Sequence, residues 1–260
     1  MTWSIKKYAK FGKFSNPILV EGLPGIGNVG KVAVDFLVDE LEAKRVMSFT
    51  SNTFPHSVFI NESNLVEMPV IELYHKKCKK NDVLFLVGDV QPIDEVSCYE
   101  FCSEILKVFK GYGGREIIAL GGIGLQEVPK KPKVYLTGNS KGLINKYKKG
   151  YNVNDQLYGV VGPIVGVSGL LTGMAKEKEI GAVCLLAETF GHPMYLGVKG
   201  AREILKIITK RLELKIDLKE LDKEIEDIEK GEIPKELANV AKQAMTSQMK
   251  KPEGEVNYIG

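Results

Sequence analysis

Ile18-Leu19-Val20-Glu21-Gly22-Leu23-Pro24-Gly25-Ile26-Gly27-Asn28-Val29-Gly30 is the stretch that decides the fold of this chain. The apolar run Ile18 to Val20 suits a buried strand. Beyond the glycine turn of residues 23–30, Val29, Ala33, Phe36, Leu37 and Leu41 recur at helical spacing. The stretch reads as strand, tight turn, helix. Gly25, Gly27 and Gly30 match the G-x-G-x-x-G spacing in which amides at a helix N-terminus hold a pyrophosphate. The acid that would bind the ribose about 20 residues later is missing, because the next strand ends in Ser48-Phe49-Thr50-Ser51-Asn52. Pro24 is foreign to that fingerprint, and Gly30-Lys31-Val32 lacks the hydroxyl with which a P-loop holds magnesium. The glycines instead suit a joint at which a helix packs tightly on a strand, and no cofactor is expected there.

Outward from this joint the chain repeats the same alternation. Residues 45–50, 83–87, 117–120, 134–137 and 182–187 read as strands, most of them continuously apolar. Residues 57–73 alternate and carry Asn61, Glu62, Ser63 and Asn64, the composition of a β-hairpin. Asp94 caps a helix with the stripe Cys98, Cys102, Ile105, Leu106 and Phe109. A glycine-spaced helix is expected over 165–178, and a last crossover helix carries Val198, Ala201, Leu205, Ile208 and Leu212 on one face. Apolar strands flanked by helices predict an α/β fold in three layers, with a mostly parallel sheet covered on both faces.

Residues 1–214 form this core. From 215 to 250 the character changes: Asp217 and Glu220 are spaced as a capping box, followed by the narrow stripe Leu218, Leu221, Ile225 and Ile228. A second stripe holds Leu237, Val240, Ala241, Ala244, Met245 and Met249. Such helices bury their stripe against their own domain or against another subunit. Residues 251–260 read as a flexible tail, polar at first and ending Val256, Asn257, Tyr258, Ile259, Gly260.

Composition narrows the function classes. The 36 Lys and Arg against 33 Asp and Glu leave a net charge of only +3, so no strong field for nucleic acid is expected. Residues 1–10 lack the continuous apolar stretch of a signal peptide. The apolar run at 160–174 is broken by Gly162, Pro163, Gly166, Gly169 and Gly173, so no membrane partner is expected. Four cysteines are too few and too scattered to staple 260 residues, which fits a reducing cytoplasm.

Polar residues collect at the strand ends: Glu21, Asp89, Gln91, Glu188 and His192. Open α/β sheets bind ligands at that edge, and His192 oriented by Glu188 or Asp89 would suit proton transfer; the other reading is that these residues cap helices and turns. His56 and Ser57 lack the G-x-S-x-G elbow of a nucleophile. Cys98 and Cys102 share a core stripe, and His75 with Cys78 adds only a loose pair, so no metal is expected. The basic clusters at 76–80, 130–133 and 146–149 lack interleaved aromatics and read as solvated faces. Apolar residues beside a terminal carboxylate, in contrast, suit capture by a partner's pocket.

Four motifs occur together: Leu23-Pro24-Gly25-Ile26-Gly27-Asn28-Val29-Gly30, Gly121-Gly122-Ile123-Gly124, Pro163-Ile164-Val165-Gly166-Val167-Ser168-Gly169 and Glu188-Thr189-Phe190-Gly191-His192-Pro193. In that combination, over about residues 15–212, the chain resembles the proteasome assembly chaperone family in its archaeal branch. The resemblance implies a nucleoside-phosphorylase type of α/β fold without its active site, assembled as a homo-oligomer. It further implies binding to proteasome α-ring subunits without ATP, as an assembly chaperone or an activator. Proteasome-binding proteins of this kind often end in a hydrophobic-tyrosine-any motif. Here Tyr258 is third from the end, with Asn257 before it, and the expected contact residues are Val256, Tyr258, Ile259 and Gly260. A non-enzymatic proteasome-binding protein is thus the first functional reading. A small-molecule enzyme of nucleoside-phosphorylase-like or carboxylate-amine ligase type, using the strand-end cleft, is the alternative.

Overall fold

The computed structural model describes residues 3–8, 14–61, 63–158, 162–192 and 195–229. The first half runs β1 (Trp3–Lys7), β2 (Ile18–Glu21), α1 (Val29–Glu40), β3 (Lys44–Ser51), β4 (Phe59–Ile60), β5 (Val66–Glu67), β6 (Ile71–Lys77), β7 (Asp82–Gly88) and α2 (Glu95–Gly111). It continues with β8 (Glu116–Leu125), β9 (Val134–Gly138), α3 (Lys141–Gly150), α4 (Val167–Met174), β10 (Gly181–Phe190), α5 (Val198–Leu212) and α6 (Lys219–Glu229). A 3-10 turn, Ala175–Lys178, extends α4 over the rest of the span expected for that helix.

Eight strands form one sheet in the order β1-β3-β6-β7-β2-β8-β10-β9, while β4 and β5 pair in a separate ribbon. The sheet is mixed. Its centre, β7-β2-β8-β10, is parallel. β1, β3 and β6 on one flank and β9 on the other are antiparallel. The connections explain the difference from a mostly parallel expectation. A parallel neighbour needs a crossover of about a dozen residues or more, whereas β6 reaches β7 through a tight turn closed by the Cys78 amide on the Asn81 carbonyl (2.9 Å).

The period-two alternation of the central strands divides the core between the two faces. Ile18, Val20, Val83, Phe85, Ile118, Leu120, Val183 and Leu185 face α1 and α5, with Val32, Leu37, Ile204 and Ile208 above them. Leu19, Leu84, Leu86 and Ile117 face the other way, against Phe101, Cys102 and Phe109 of α2 and Leu171 of α4. Asp94 caps α2 by accepting the Ser97 amide (2.9 Å). Glu116 at the start of β8 ties two helices down: it accepts from the Tyr147 hydroxyl of α3 (2.8 Å) and from Nε of Arg211 in α5 (3.0 Å). α6 places Leu221 in the α1–α5 core, and its Asp222 pairs with Arg202 (Nη2 to Oδ2, 3.0 Å). The second stripe, Leu237 to Met249, lies outside the described residues. Among the described residues no helix is long and apolar enough to cross a membrane.

The joint after β2 rests on missing side chains. A Cβ on Gly22 would lie 2.2 Å from the Gly30 carbonyl oxygen, and one on Gly30 would lie 2.6 Å from the Leu120 carbonyl oxygen. Neither approach tolerates a methyl group, so α1 meets β2 and β8 backbone to backbone. Gly173, on the exposed side of α4, has nothing within 4 Å of its Cβ position. Gly30→Ala is therefore expected to lower stability by about 1–3 kcal/mol or more, as overpacking does. Gly173→Ala should raise it by up to about 1 kcal/mol through helix propensity. Urea unfolding of the two variants beside the parent chain checks both signs.

Candidate functional site

The carboxyl edge of the parallel strands is where sheets of this kind hold ligands, and here the sequence-marked polar residues are engaged in holding loops. Glu21, the last residue of β2, is fully buried below the glycine turn. Its Oε1 accepts the Leu23 amide (3.0 Å). Its Oε2 has no partner within hydrogen-bond geometry, although the Ser168 hydroxyl lies near enough to lower its pKa. Burial pushes the carboxyl up to about 7, outweighing the Leu23 hydrogen bond that lowers it. Glu21 is a proton-bearing group of the core.

Its neighbours staple the same edge. Gln91 donates from Nε2 to the Pro24 carbonyl (2.7 Å) and accepts the Val167 amide on Oε1 (3.2 Å), joining the turn to the start of α4. Asp89 accepts the Val70 amide (3.1 Å); burial raises its pKa, with Lys31 opposing. Glu188 on β10 accepts the Lys133 amide (2.9 Å) and the Tyr135 hydroxyl (3.2 Å). The His192 ring stacks on Phe190 with centroids 5.6 Å apart. Glu21 and Asp89 stand at the ends of adjacent strands, whereas Glu188 is separated from Glu21 by β8. The arrangement fixes loop backbone with side-chain carboxylates and an amide.

The place a pyrophosphate would take at the helix start is filled by protein. Gly27 adopts φ +60, and a Cβ there would lie 2.5 Å from Thr189 Oγ1. The Gly27 carbonyl accepts the Gly197 amide (2.7 Å), which draws the loop after β10 over the turn. Gly27, Asn28, Val29 and Gly30 are all buried. The geometry is that of the joint read from the sequence.

The remaining candidates lie apart. His56 is exposed and Ser57 half-buried in the loop before β4. Cys98 and Cys102 are buried in the α2 core. His75 pairs with Asp82 (Nε2 to Oδ1, 2.7 Å), while the Cys78 thiol faces the Lys76 carbonyl. Among the described residues no group of three or more His, Cys, Asp and Glu is placed to hold a metal ion. The tail residues Val256, Tyr258, Ile259 and Gly260 lie outside the described residues.

What the residue-by-residue reading missed is an apolar rim on this edge. Val58, Ile60, Leu65, Val66 and Met68 in and around the β4–β5 ribbon are 48–71% exposed, and Ile93, Val96 and Tyr99 at the start of α2 are 52–68% exposed. Val128 after β8 and Val165 before α4 are exposed as well. All of these segments emerge at the carboxyl edge: the ribbon runs into β6, whose Ile71 pairs with Gly88 at the end of β7. Apolar side chains gathered at one end mark a surface for protein contact. The signal was present in residues 57–68, where Val58, Ile60, Leu65, Val66 and Met68 stay exposed, whereas Ile71 and Leu73 just beyond them enter the core.

The model of the PAC2 family matches residues 19–233. The chain belongs to the PAC2 family. That places it in the proteasome assembly chaperone family, archaeal branch, as the four motifs indicated. Among solved structures it is similar to PbaB of Pyrococcus furiosus, an archaeal proteasome activator. That match has 33% identity and a TM-score of 0.79, covering 88% of this chain and 97% of that one. PbaA of the same organism, an archaeal homolog of proteasome-assembly chaperone, is 26% identical with a TM-score of 0.73, covering 94% and 98%. An uncharacterized protein of Methanocaldococcus jannaschii is 28% identical over 258 residues, 98% of this chain and 96% of its own.

In this PAC2 protein Glu21 sets a pH dependence with a definite sign. A carboxyl whose folded pKa is raised stabilises the fold fully below its unfolded pKa, and that contribution is lost as pH rises towards the folded value, here about 7. Glu21→Gln keeps the acceptor for Leu23 and removes the titration. From pH 5 to pH 8 the difference in unfolding free energy should move in favour of E21Q by on the order of 2 kcal/mol, at roughly 1.4 kcal/mol per pH unit. Guanidinium unfolding of both proteins at the two pH values measures it.

Proposed function

We propose that this chain is a non-enzymatic, ATP-independent protein that binds the proteasome α-ring, acting as an assembly chaperone or activator. The observation that carries the proposal is the 33% identity to PbaB, an archaeal proteasome activator, across nearly the whole of both chains. The loop-holding role of Glu21, Asp89, Gln91 and Glu188 supports it, since each is committed to backbone at the edge where an enzyme of this architecture would place its substrate.

In this reading residues 1–214 are the scaffold, 215–250 are helices that pack on it or on a neighbouring subunit, and 251–260 are the contacting tail. Val256, Tyr258, Ile259 and Gly260 enter a pocket between α subunits. The departure from the hydrophobic-tyrosine-any ending makes each tail a weak ligand. Several tails on one homo-oligomer compensate, because the second contact forms at the high effective concentration set by the first. The apolar rim around the β4–β5 ribbon supplies the surface on which the copies associate, and the assembly works in the cytoplasm.

Two measurements test this. Removing Val256 to Gly260 is expected to reduce co-sedimentation with isolated proteasome α-rings by tenfold or more; undiminished binding overturns the tail as the contact. Native mass measurement should find an oligomer for the parent chain and a shift towards monomer for the combined Ile60→Asp, Val66→Asp and Met68→Asp variant. A parent chain that is monomeric at micromolar concentration removes the multivalent mechanism.

A further inference from the structure

A groove of about 1130 Å³ lies on the β9 side of the molecule, between the residues that lead into β9 and the outer faces of α5 and α6. Its floor includes Val134, Tyr151, Ile207 and Ile225. Its rims are cationic: Lys130, Lys131 and Lys133 on one side, with Lys199, Lys206 and Lys210 on the α5 side. Arg202 also lines it, so the groove gathers seven cations against the three acids Glu203, Asp222 and Glu226, in a chain whose charges otherwise almost cancel. The acids are committed in part: Asp222 pairs with Arg202 and Glu203 with Lys206 (2.6 Å). Lys130, Lys131 and Lys133 are exposed and make no ion pair among the described residues.

An apolar floor between basic rims fits a segment that alternates acidic and apolar side chains. An extended strand sends successive side chains to opposite faces. Laid out that way, residues 253–259 put Glu253, Glu255, Asn257 and, at the far end, Ile259 on one side and Gly254, Val256 and Tyr258 on the other. Nucleic acid is a poorer match, since Glu203, Asp222 and Glu226 stand inside the groove and would repel a phosphate backbone. The chain also supplies the reach. α6 ends at Glu229, with Ile225 and Glu226 in the groove wall, and the 23 residues from 230 to 252 are long enough to return to it even where they are helical, at about 1.5 Å per residue or roughly 35 Å in all.

We propose that this groove receives the chain's own residues 253–259, so that the tail has two alternative docking sites: the groove in the free protein and the partner when one is present. The tether holds the segment at an effective concentration of the order of millimolar, so a weak fit suffices to occupy the groove. The inference deepens the reading of the tail as the proteasome-contacting element, and rests on it for its biological meaning, because a docked tail withholds Val256, Tyr258 and Ile259 until a better pocket competes.

The test needs no proteasome, so its failure and the failure of the α-ring reading are separate results. A fluorescein-labelled peptide of residues 253–260 is titrated, by anisotropy, onto the full chain and onto the chain with those residues deleted. The deleted chain is expected to bind at least tenfold more tightly than the full chain, whose groove is already filled. In the deleted chain, combined Lys130→Glu, Lys131→Glu and Lys133→Glu should weaken binding at least tenfold, with an unchanged melting temperature because all three side chains are exposed. Raising NaCl to about 1 M, where the screening length falls to roughly 3 Å, should weaken the unsubstituted deleted chain likewise and keeps the test independent of the variant's folding. No binding to the deleted chain, equal binding to both chains, or binding indifferent to the three lysines and to salt would each overturn the proposal.

Discussion

The first turn of α1 approaches β2 and β8 with no side chain between them, and the rest of the molecule is arranged around that contact. The Gly30 carbonyl occupies the space where Gly22 would carry a Cβ, and the Leu120 carbonyl the space where Gly30 would. At such a separation Val29 and Ala33 of α1 reach the sheet directly, and α5 packs beside α1 through Ala201 and Ile204. The loop preceding α5 is drawn down with it, since the Gly197 amide bonds to the Gly27 carbonyl. Thr189 then fills what would otherwise be an opening at the helix N-terminus. One close contact thereby removes the anion site that its own glycine spacing advertises.

Closing the edge changes what its polar residues can do. Water cannot satisfy Glu21, and a buried carboxylate without a cation partner is costly, so the carboxyl holds its proton to about pH 7. Gln91, Asp89 and Glu188 each meet backbone groups far along the chain. The sequence separations are 67 residues to Pro24, 76 to Val167, 19 to Val70 and 55 to Lys133. These bonds turn separate loops into one rigid rim. A rim stiffened from within and lined outside by Ile60, Val66, Met68, Val96 and Tyr99 is suited to contact with other proteins, because its ordering cost is met at folding and not at binding.

The parts of this structure that sequence makes legible are those in which a single residue pattern suffices. β2, β7, β8 and β10 are buried on both faces, so their apolar runs are continuous and unmistakable. Strand direction is different, since it follows from connection length and neighbour choice, which is why the antiparallel flank of β3 and β6 escaped a reading based on apolar runs. β1 was hidden because only Trp3 and Ile5 turn inward while Lys6 and Lys7 are exposed. α3 was hidden because it commits a single side chain, Tyr147, fully to the core and otherwise reads as a lysine cluster, although Ser140 caps it by accepting the Leu143 amide (3.2 Å). At the edge, the identities of Glu21, Asp89, Gln91 and Glu188 were visible in the sequence. The partners of Gln91 and Glu188 were not, because a hydrogen bond across 50 or more residues leaves no local trace.

Charge follows the same division between what is local and what is assembled. The clusters at 130–133 and along α5 each look like ordinary solvated faces when taken alone, and the net charge of +3 gives no warning of a field. The fold sets them on opposite rims of one groove with Val134 and Ile207 between them. Separated by water, like charges on two surfaces cost little; facing one another across an apolar floor they raise the local potential, because the low-dielectric wall focuses the field. Such a surplus is stabilised by any anionic segment that enters, and the proposed occupant is tethered to the helix that forms one wall. In the proposed arrangement the chain presents an apolar rim for association and holds its contacting residues in reserve on a different face.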